Sequence, residues 1–381
     1  MKLQPTHTLT SLRATQRHVR HTSTRWLKFL AQSATLRPRV IYVGGFHGRR
    51  NLGDDALFAA AKRIFGHCSL VEFSGTPTVR PLQWLYPATQ PAILAGGTLI
   101  NRDPGWLAVA QAYARVGTGL CIFGTGVASR DFWTGRTGWT DRLAEWLPIL
   151  RACTYVGVRG PLSAQALIAE GIDAHVLGDP ALALADAVMD RSAVASPPAL
   201  GLNIATQGDM WGDKTATLMR VAALARTARA NGWTVHWFVL HPADLEPTRA
   251  LATQTGTAGY IHETYTDYRH YMNRVRPLTA FVGMKLHAVV LAICAYVPSI
   301  MLEYRPKCRD FMLSIGQEDV SVRADRIDPA HLWRTLNSWR EAGPAKSEAL
   351  FGVVQSMRRR QLDQARQLVP SNGLSQRERT A

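Results

Sequence analysis

The stretch RVIYVGGFHGRRNLGDDAL, residues 39–57, decides the fold. The apolar run Val40, Ile41, Tyr42, Val43 reads as a buried parallel strand. A glycine-rich loop follows, and DDALFAAAKRIFG then reads as a helix with Asp at its start and Gly66 just past its end. Strand, glycine loop and helix in that order form the first unit of an open α/β sheet. The loop has neither G-x-G-x-x-G spacing nor the Lys-Ser/Thr that ends a P-loop, which disfavours a nucleotide cradle. It presents Asn51, Gly53, Asp54 and Asp55 instead. The two aspartates can cap the helix and complement its dipole, a contribution of about 0.5–2 kcal/mol. Carboxylates and an amide at a strand end also suit sugar hydroxyls, which they can hydrogen-bond or deprotonate. Both readings stand on the residues alone.

The same alternation continues along the chain. CSLVEFSG, PAILAGGTLI, GLCIFGTGV, TYVGVRG and AHVLGDPAL predict strands, and the segments between them predict helices. The small, proline-bearing SAVASPP at 192–198 reads as an interdomain linker. A second series follows, with strands at ALGLNIA, WTVHWFVLHPAD, TAFVG and PSIMLEY and a helix at MKLHAVVLAICAYV. The pattern predicts two Rossmann-like α/β domains facing a cleft. A basic arm covers 1–38, the first domain 39–191, the second 199–340, and a C-terminal helix and tail 341–381, the helix itself read over 345–368.

The 381 residues carry a formal charge of +16. Such a field fits nucleic acid, an anionic membrane surface or an anionic substrate. Residues 1–53 hold no acidic residue, so part of the charge lies in the arm, where it suits contact with anionic lipid. No aromatic-basic motif or helix-turn-helix pattern supports nucleic acid. The five cysteines are widely spaced and none has metal-site or redox-motif spacing, which predicts buried thiols, no bound metal and a cytoplasmic setting. The apolar stretch 280–302 is interrupted by Lys285, His287 and Pro298, so it reads as core and not as a membrane span.

A second candidate site lies at Gly283-Met284-Lys285-Leu286-His287, the opening of an apolar helix. A lysine there does not complement the helix dipole, so an anion is the expected visitor. Arg159, in VGVRGP, offers a bidentate fork, and Arg305 and Lys307 fall in LEYRPK. Gly96 and Gly97 permit close approach of backbone to ligand. His241, in VLHPAD, is a candidate acid, base or hydroxyl binder, with Asp244 close by.

Taken together, GGFHGRRNLGDDAL, AILAGGTLI, FGTGV, YVGVRGPLSAQAL, VLGDPAL, FVLHPAD, FVGMKLHAVVLAICAYVPSI and EYRPKCRDFM resemble, in order, the polysaccharide pyruvyl transferase family. The resemblance implies a fold similar to two-domain glycosyltransferases of the B type. It also implies transfer of the enolpyruvyl unit of phosphoenolpyruvate onto two hydroxyls of a sugar in a polysaccharide or its lipid-linked precursor, giving a pyruvate ketal. No cofactor is implied, phosphoenolpyruvate being the donor substrate. On that reading Lys285, Arg159 and Lys307 hold the donor, and Asn51, Gly53, Gly96 and Gly97 face the acceptor. His287 is the general acid, and Asp54, Asp55 and His241 are candidate bases. The family pattern usually reads Arg-Leu-His where this chain has Lys285-Leu286-His287. Work at the inner face of a membrane would suit the basic arm.

Two other readings compete. A B-type glycosyltransferase using a nucleotide sugar would share the cleft, and a catalytically inactive glycan-binding relative would share the fold.

Overall fold

The computed structural model describes residues 39–44, 48–72, 91–116, 119–136, 138–192 and 194–370. The basic arm, the loop at 45–47 and the tail beyond 370 lie outside the described residues.

The first half contributes β1 (Arg39–Gly44), α1 (Leu52–Ile64), β2 (Ser69–Glu72), β3 (Ala92–Ala95), β4 (Thr98–Ile100), α2 (Pro104–Val116), β5 (Leu120–Val127), α3 (Arg130–Trp133), α4 (Leu143–Arg151), β6 (Tyr155–Val158), α5 (Pro161–Ile168) and β7 (His175–Val176). Its strands pair in the order β2-β1-β3-β5-β6-β7, with β4 beside β5, all parallel. The second half contributes β8 (Ala199–Asn203), α6 (Lys214–Ala230), β9 (Thr234–Val239), α7 (Leu245–Gln254), β10 (Ile261–Glu263), α8 (Tyr268–Val275), β11 (Ala280–Gly283), α9 (Leu286–Cys294), β12 (Ser299–Glu303), α10 (Pro306–Ser314), β13 (Ser321–Arg323) and α11 (Pro329–Leu368). Its order is β10-β9-β8-β11-β12-β13, again all parallel. The chain therefore reverses direction across the first sheet between β1 and β3, and across the second between β8 and β11. Open α/β sheets bind ligands at such points, beyond the carboxyl ends of the strands.

α1 belongs to both halves. Asn51 caps it, its side-chain oxygen accepting from the Gly53 amide at 3.2 Å, and Lys62 and Arg63 complement the dipole at its other end. Leu52, Ala56, Leu57 and Ala60 are buried in the core of the second half, while Ala61 and Ile64 pack under the first sheet. Each buried leucine contributes about 1.5–3 kcal/mol, so this apolar seam resists rotation of one half against the other. The Leu52 amide also donates to the Leu240 carbonyl at 3.1 Å. The start of α1 is thus held against the end of β9.

α11 is the second bridge. The sequence pattern places the last helix after Pro344, but the helix begins at Pro329, capped by Asp328, and runs for 40 residues through Pro344. Burial of Leu332, Leu336 and Trp339 ahead of the proline offsets the missing amide. Further along, Gln361 Nε2 donates to the carbonyls of Leu177 and Asp179 at 3.2 and 2.9 Å, so the helix that grows from the second half ends on the first. The short strands β10 and β13 have no counterpart in the sequence pattern, because three residues are too few to show a period. All five cysteines are free, and four of them are buried. Among the described residues no helix is long and apolar enough to cross a membrane.

Candidate active site

The two sheets present their carboxyl ends to one cleft of about 400 Å³, within the range of small-ligand sites. The first half supplies the start of α1, the β3–β4 turn, the loops after β4 and β5, and Arg159 after β6. The second half supplies Leu240, the start of α9 and the start of α10. Arg102, Arg159, Lys285, Arg305 and Lys307 line it against only two carboxylates, Asp54 and Asp103, so the cleft favours an anionic ligand.

Asp54 and His287 come from opposite halves and meet in the cleft. An ideal Cβ on Gly53 would lie 2.4 Å from His287 Nδ1, so only glycine lets the imidazole pack against the first turn of α1. Asp54 also accepts from Asn51 Nδ2 at 2.6 Å. Burial raises the Asp54 pKa above the ordinary 3.8, the neighbouring Asp55 adds to the rise, and His287, Lys307 and the Asn51 bond only partly offset it. A carboxyl tuned upward suits proton transfer near neutral pH better than an ordinary aspartate does.

The other nitrogen of His287 faces Asp179, with Nε2 to Oδ2 at 3.7 Å. Asp179 is fully buried and caps the 3₁₀ turn Pro180–Leu184, accepting from the Ala181 amide at 3.0 Å. Burial would raise its pKa, but His287, Arg159 and the Ala181 amide outweigh that and hold it below the usual aspartate value. A buried carboxylate behind an imidazole orients the ring and supplies a counter-charge when the ring carries a proton.

Lys285 lines the cleft, but its Nζ lies 2.7 Å from Asp244 Oδ2. Asp244 is buried and its other oxygen accepts from the Thr206 amide and hydroxyl at 2.9 and 2.7 Å. The Lys285 amide in turn donates to Asn203 Oδ1 at 2.9 Å, which ties the start of α9 to the end of β8. Arg159 is 1% exposed. Its Nη1 donates to the Gly97 carbonyl at 2.9 Å and its Nη2 to the Thr98 hydroxyl at 3.0 Å. It therefore holds the β3–β4 turn at the wall of the cleft. Its Nε lies 3.9 Å from Asp310 Oδ2.

Lys307 and Arg305 stand at the start of α10, both beside the Tyr304 ring, at 5.1 and 5.2 Å from its centroid. Arg102 and Arg305 share a second ring, that of buried Trp133, at 3.7 and 5.4 Å from its centroid.

Asn51, Gly53, Asp54, Gly97, Arg159, Lys285, His287 and Lys307 are thus brought together. Three predicted site residues are not. Asp55 turns away, its Oδ1 accepting from the Gly48 amide at 2.6 Å. The His241 ring caps a 3₁₀ turn, with Nδ1 accepting from the Ala243 amide at 3.2 Å, and it lies outside the cleft lining. Gly96, at φ +66°, packs on Leu57. Sequence reasoning missed Asp179, Arg102 and Trp133 as site residues, although the Gly-Asp-Pro after β7 marks a polar residue at a strand end for Asp179. Nor are the acidic and basic groups divided between the halves, since Arg102 belongs to the first and Asp54 stands beside His287. Among the described residues no group of three or more His, Cys, Asp or Glu could hold a metal ion.

The fold has known counterparts. A putative UDP-N-acetylglucosamine 2-epimerase from Listeria monocytogenes superposes with a TM-score of 0.53 at 12% identity, over 83% of this chain and 91% of that one. The glycosyltransferase WaaG, involved in lipopolysaccharide biosynthesis, superposes with a TM-score of 0.51 at 13% identity, over 88% of this chain and 100% of that one. The UDP-GlcNAc 2-epimerase of Neisseria meningitidis gives 0.50 at 9% identity, over 82% and 94%. At such identities the likeness shows the fold alone, two Rossmann-like domains of the B-type glycosyltransferase kind. No curated protein matches the sequence. The family model for polysaccharide pyruvyl transferase matches residues 51–306, which hold Asn51, Asp54, Arg102, Arg159, Asp179, Lys285, His287 and Arg305. The chain belongs to the polysaccharide pyruvyl transferase family and is a transferase that modifies glycans.

Proposed function

We propose that the enzyme moves the enolpyruvyl group of phosphoenolpyruvate onto two hydroxyls of a sugar, forming a cyclic pyruvate ketal and releasing phosphate. The observation that carries this reading is the meeting of Asp54 with His287 in a cationic cleft, an acid–base pair beside a site for a small, highly charged acid. His287 delivers a proton to the methylene carbon of the enol, and positive character develops at the adjacent carbon. The first sugar hydroxyl attacks that carbon and gives its proton to Asp54. Phosphate then leaves, the second hydroxyl closes the ketal, and its proton departs with the phosphate. Asp54, beside the ring, returns its proton to His287, so both groups end as they began. Lys307, Lys285 and Arg159 hold the donor's phosphate and carboxylate as charge shifts onto the leaving group. Asn51, Gly53 and Gly97 face the acceptor.

The direct test is incubation with phosphoenolpyruvate and a panel of glycan acceptors, followed by mass spectrometry. An acceptor heavier by one pyruvic acid less one water, with one equivalent of phosphate released, supports the reading. Turnover of a nucleotide sugar with none of phosphoenolpyruvate would replace it with glycosyl transfer.

A further inference from the structure

The cleft holds more cationic capacity than the donor chemistry uses. Arg102 lies with its guanidinium 3.7 Å from the centroid of the Trp133 ring, and no described residue accepts a hydrogen bond from it. Arg305 sits 5.4 Å from the same centroid, and among the described residues only its Nε is hydrogen-bonded, donating to the Asp209 carbonyl at 2.7 Å. Two cations on one buried indole repel each other. The nearby carboxylates of Asp103 and Asp209 offset this charge only in part and have contacts of their own. Asp103 Oδ1 accepts from the Gly105 amide at 2.7 Å at the start of α2, and Asp209 Oδ1 lies 3.8 Å from Arg136 Nη1. Arginine held face-on to an aromatic ring keeps its N–H edge free for a forked bond to an oxyanion.

These charges also form a group of their own. Burial and the charge of Arg305 lower the Arg102 pKa, with Asp103 and Asp209 opposing. After burial, the leading influences on Asp54 are His287 and Lys307. One cleft therefore contains two electrostatic neighbourhoods, the reacting one around Asp54 and His287 and a second around Trp133. A volume of about 400 Å³ exceeds what a three-carbon donor fills and leaves room for a sugar.

We infer that Arg102 and Arg305, set around Trp133, form a second oxyanion subsite that grips an anionic group carried by the sugar acceptor. The inference rests on the donor and acceptor roles proposed above. The bound group is a phosphoryl or carboxylate oxyanion attached to the sugar, and the acceptor class is thereby an anionic glycan or a glycosyl phosphate rather than a neutral sugar.

Calorimetry on the full chain saturated with phosphoenolpyruvate tests this, with inorganic pyrophosphate and galacturonate as separate titrants. One equivalent of either should still bind, and which of them binds distinguishes a phosphoryl from a carboxylate source. Arg102→Gln and Arg305→Gln should each weaken that second binding by about tenfold or more, the worth of one charge-assisted contact, and leave phosphoenolpyruvate affinity within about twofold. Lys307→Gln should do the reverse. Arg102→Lys and Arg305→Lys, which keep the charge and lose the fork, should give an intermediate loss and cover the case in which a glutamine variant does not fold. Displacement of phosphoenolpyruvate by the titrant, equal weakening of both ligands by the arginine variants, or no binding of either titrant would overturn the inference. If phosphoenolpyruvate fails to bind while a titrant binds through Arg102 and Arg305, the donor reading falls and the subsite stands.

Discussion

Lys285 and Asp244 form an ion pair, Nζ to Oδ2 at 2.7 Å, at the point where the second sheet reverses its strand order. The cation that opens α9 is therefore already balanced by a carboxylate that is itself fixed by Thr206. A lysine suffices for this point-charge contact.

Removing the lysine strands a buried carboxylate, so Lys285→Met should lower unfolding stability by about 3–5 kcal/mol in denaturant titration. Asp244→Asn should cost less, because Lys285 lines the cleft and is part-exposed. Lys285→Arg should keep both stability and turnover, because it can form the same pair. If Lys285→Met kept full stability and only raised KM for the donor, the lysine would hold the donor without also bracing the fold.

Asp54 links activity to acidity with a sign that can be worked out. Its folded-state pKa lies above the 3.8 of the unfolded chain, so as pH falls through the folded value the native state takes up a proton that the unfolded chain does not yet bind. Acidification through that window stabilises the fold at this residue while it removes the base. Asp54→Asn should abolish the pH-dependent gain in stability between 3.8 and the folded value and cut turnover by about 10²–10⁴-fold. In the unsubstituted enzyme the acid limb of kcat/KM should lie above 3.8.

Much of this was legible in the chain. Alternating apolar runs and helices disclosed two parallel sheets, and the turns at strand ends pointed to Asp54, Lys285 and His287, which the structure places in one cleft; of these only Lys285, a cation at a helix start, runs against a local rule. Asp179 and Trp133 were hidden for a different reason. Each sits in a segment whose composition suits core or turn, and its role depends on a partner over a hundred residues away. Asp55 and His241 show the converse, for Asp55 bonds the Gly48 amide of the preceding loop and His241 caps its own turn, and both lie outside the cleft lining. The pairing of Arg159 with Asp310 is likewise a tertiary fact, since nothing near VGVRGP announces a carboxylate on α10.

That carboxylate joins the halves. Asp310 accepts from the Leu162 and Ser163 amides at 2.9 and 3.1 Å and from the Ser163 hydroxyl at 2.6 Å, capping α5 from across the boundary. Gly160 makes room for it, since an ideal Cβ there would lie 1.9 Å from the Asp310 carbonyl oxygen. Asp310→Ala would leave buried amides unpaired and Arg159 without its counter-charge. A loss of about 2–5 kcal/mol is expected, together with looser holding of the β3–β4 turn, read as faster proteolysis of the native protein and a raised KM. Asp310→Asn, which keeps most acceptors, should lose less on both counts.

Gly53 provides the sharpest separation of chemistry from stability. It lies in the first turn of α1, where alanine would improve helix propensity by up to about 1 kcal/mol. An added Cβ would nevertheless meet His287 Nδ1 at 2.4 Å and the ring carbon Cγ at 3.0 Å, so the imidazole or the helix start must shift. A displacement of about 1 Å at a reacting group costs on the order of 10²-fold in rate. Gly53→Ala should therefore melt within a few degrees of the unsubstituted protein and lose about 100-fold in kcat. Gly352→Ala in α11, where nothing lies within 4 Å of the added carbon and no proline follows, should gain the helix term and leave kcat unchanged. Equal behaviour of the two variants would mean that the contact between α1 and His287 does not set the geometry of proton transfer.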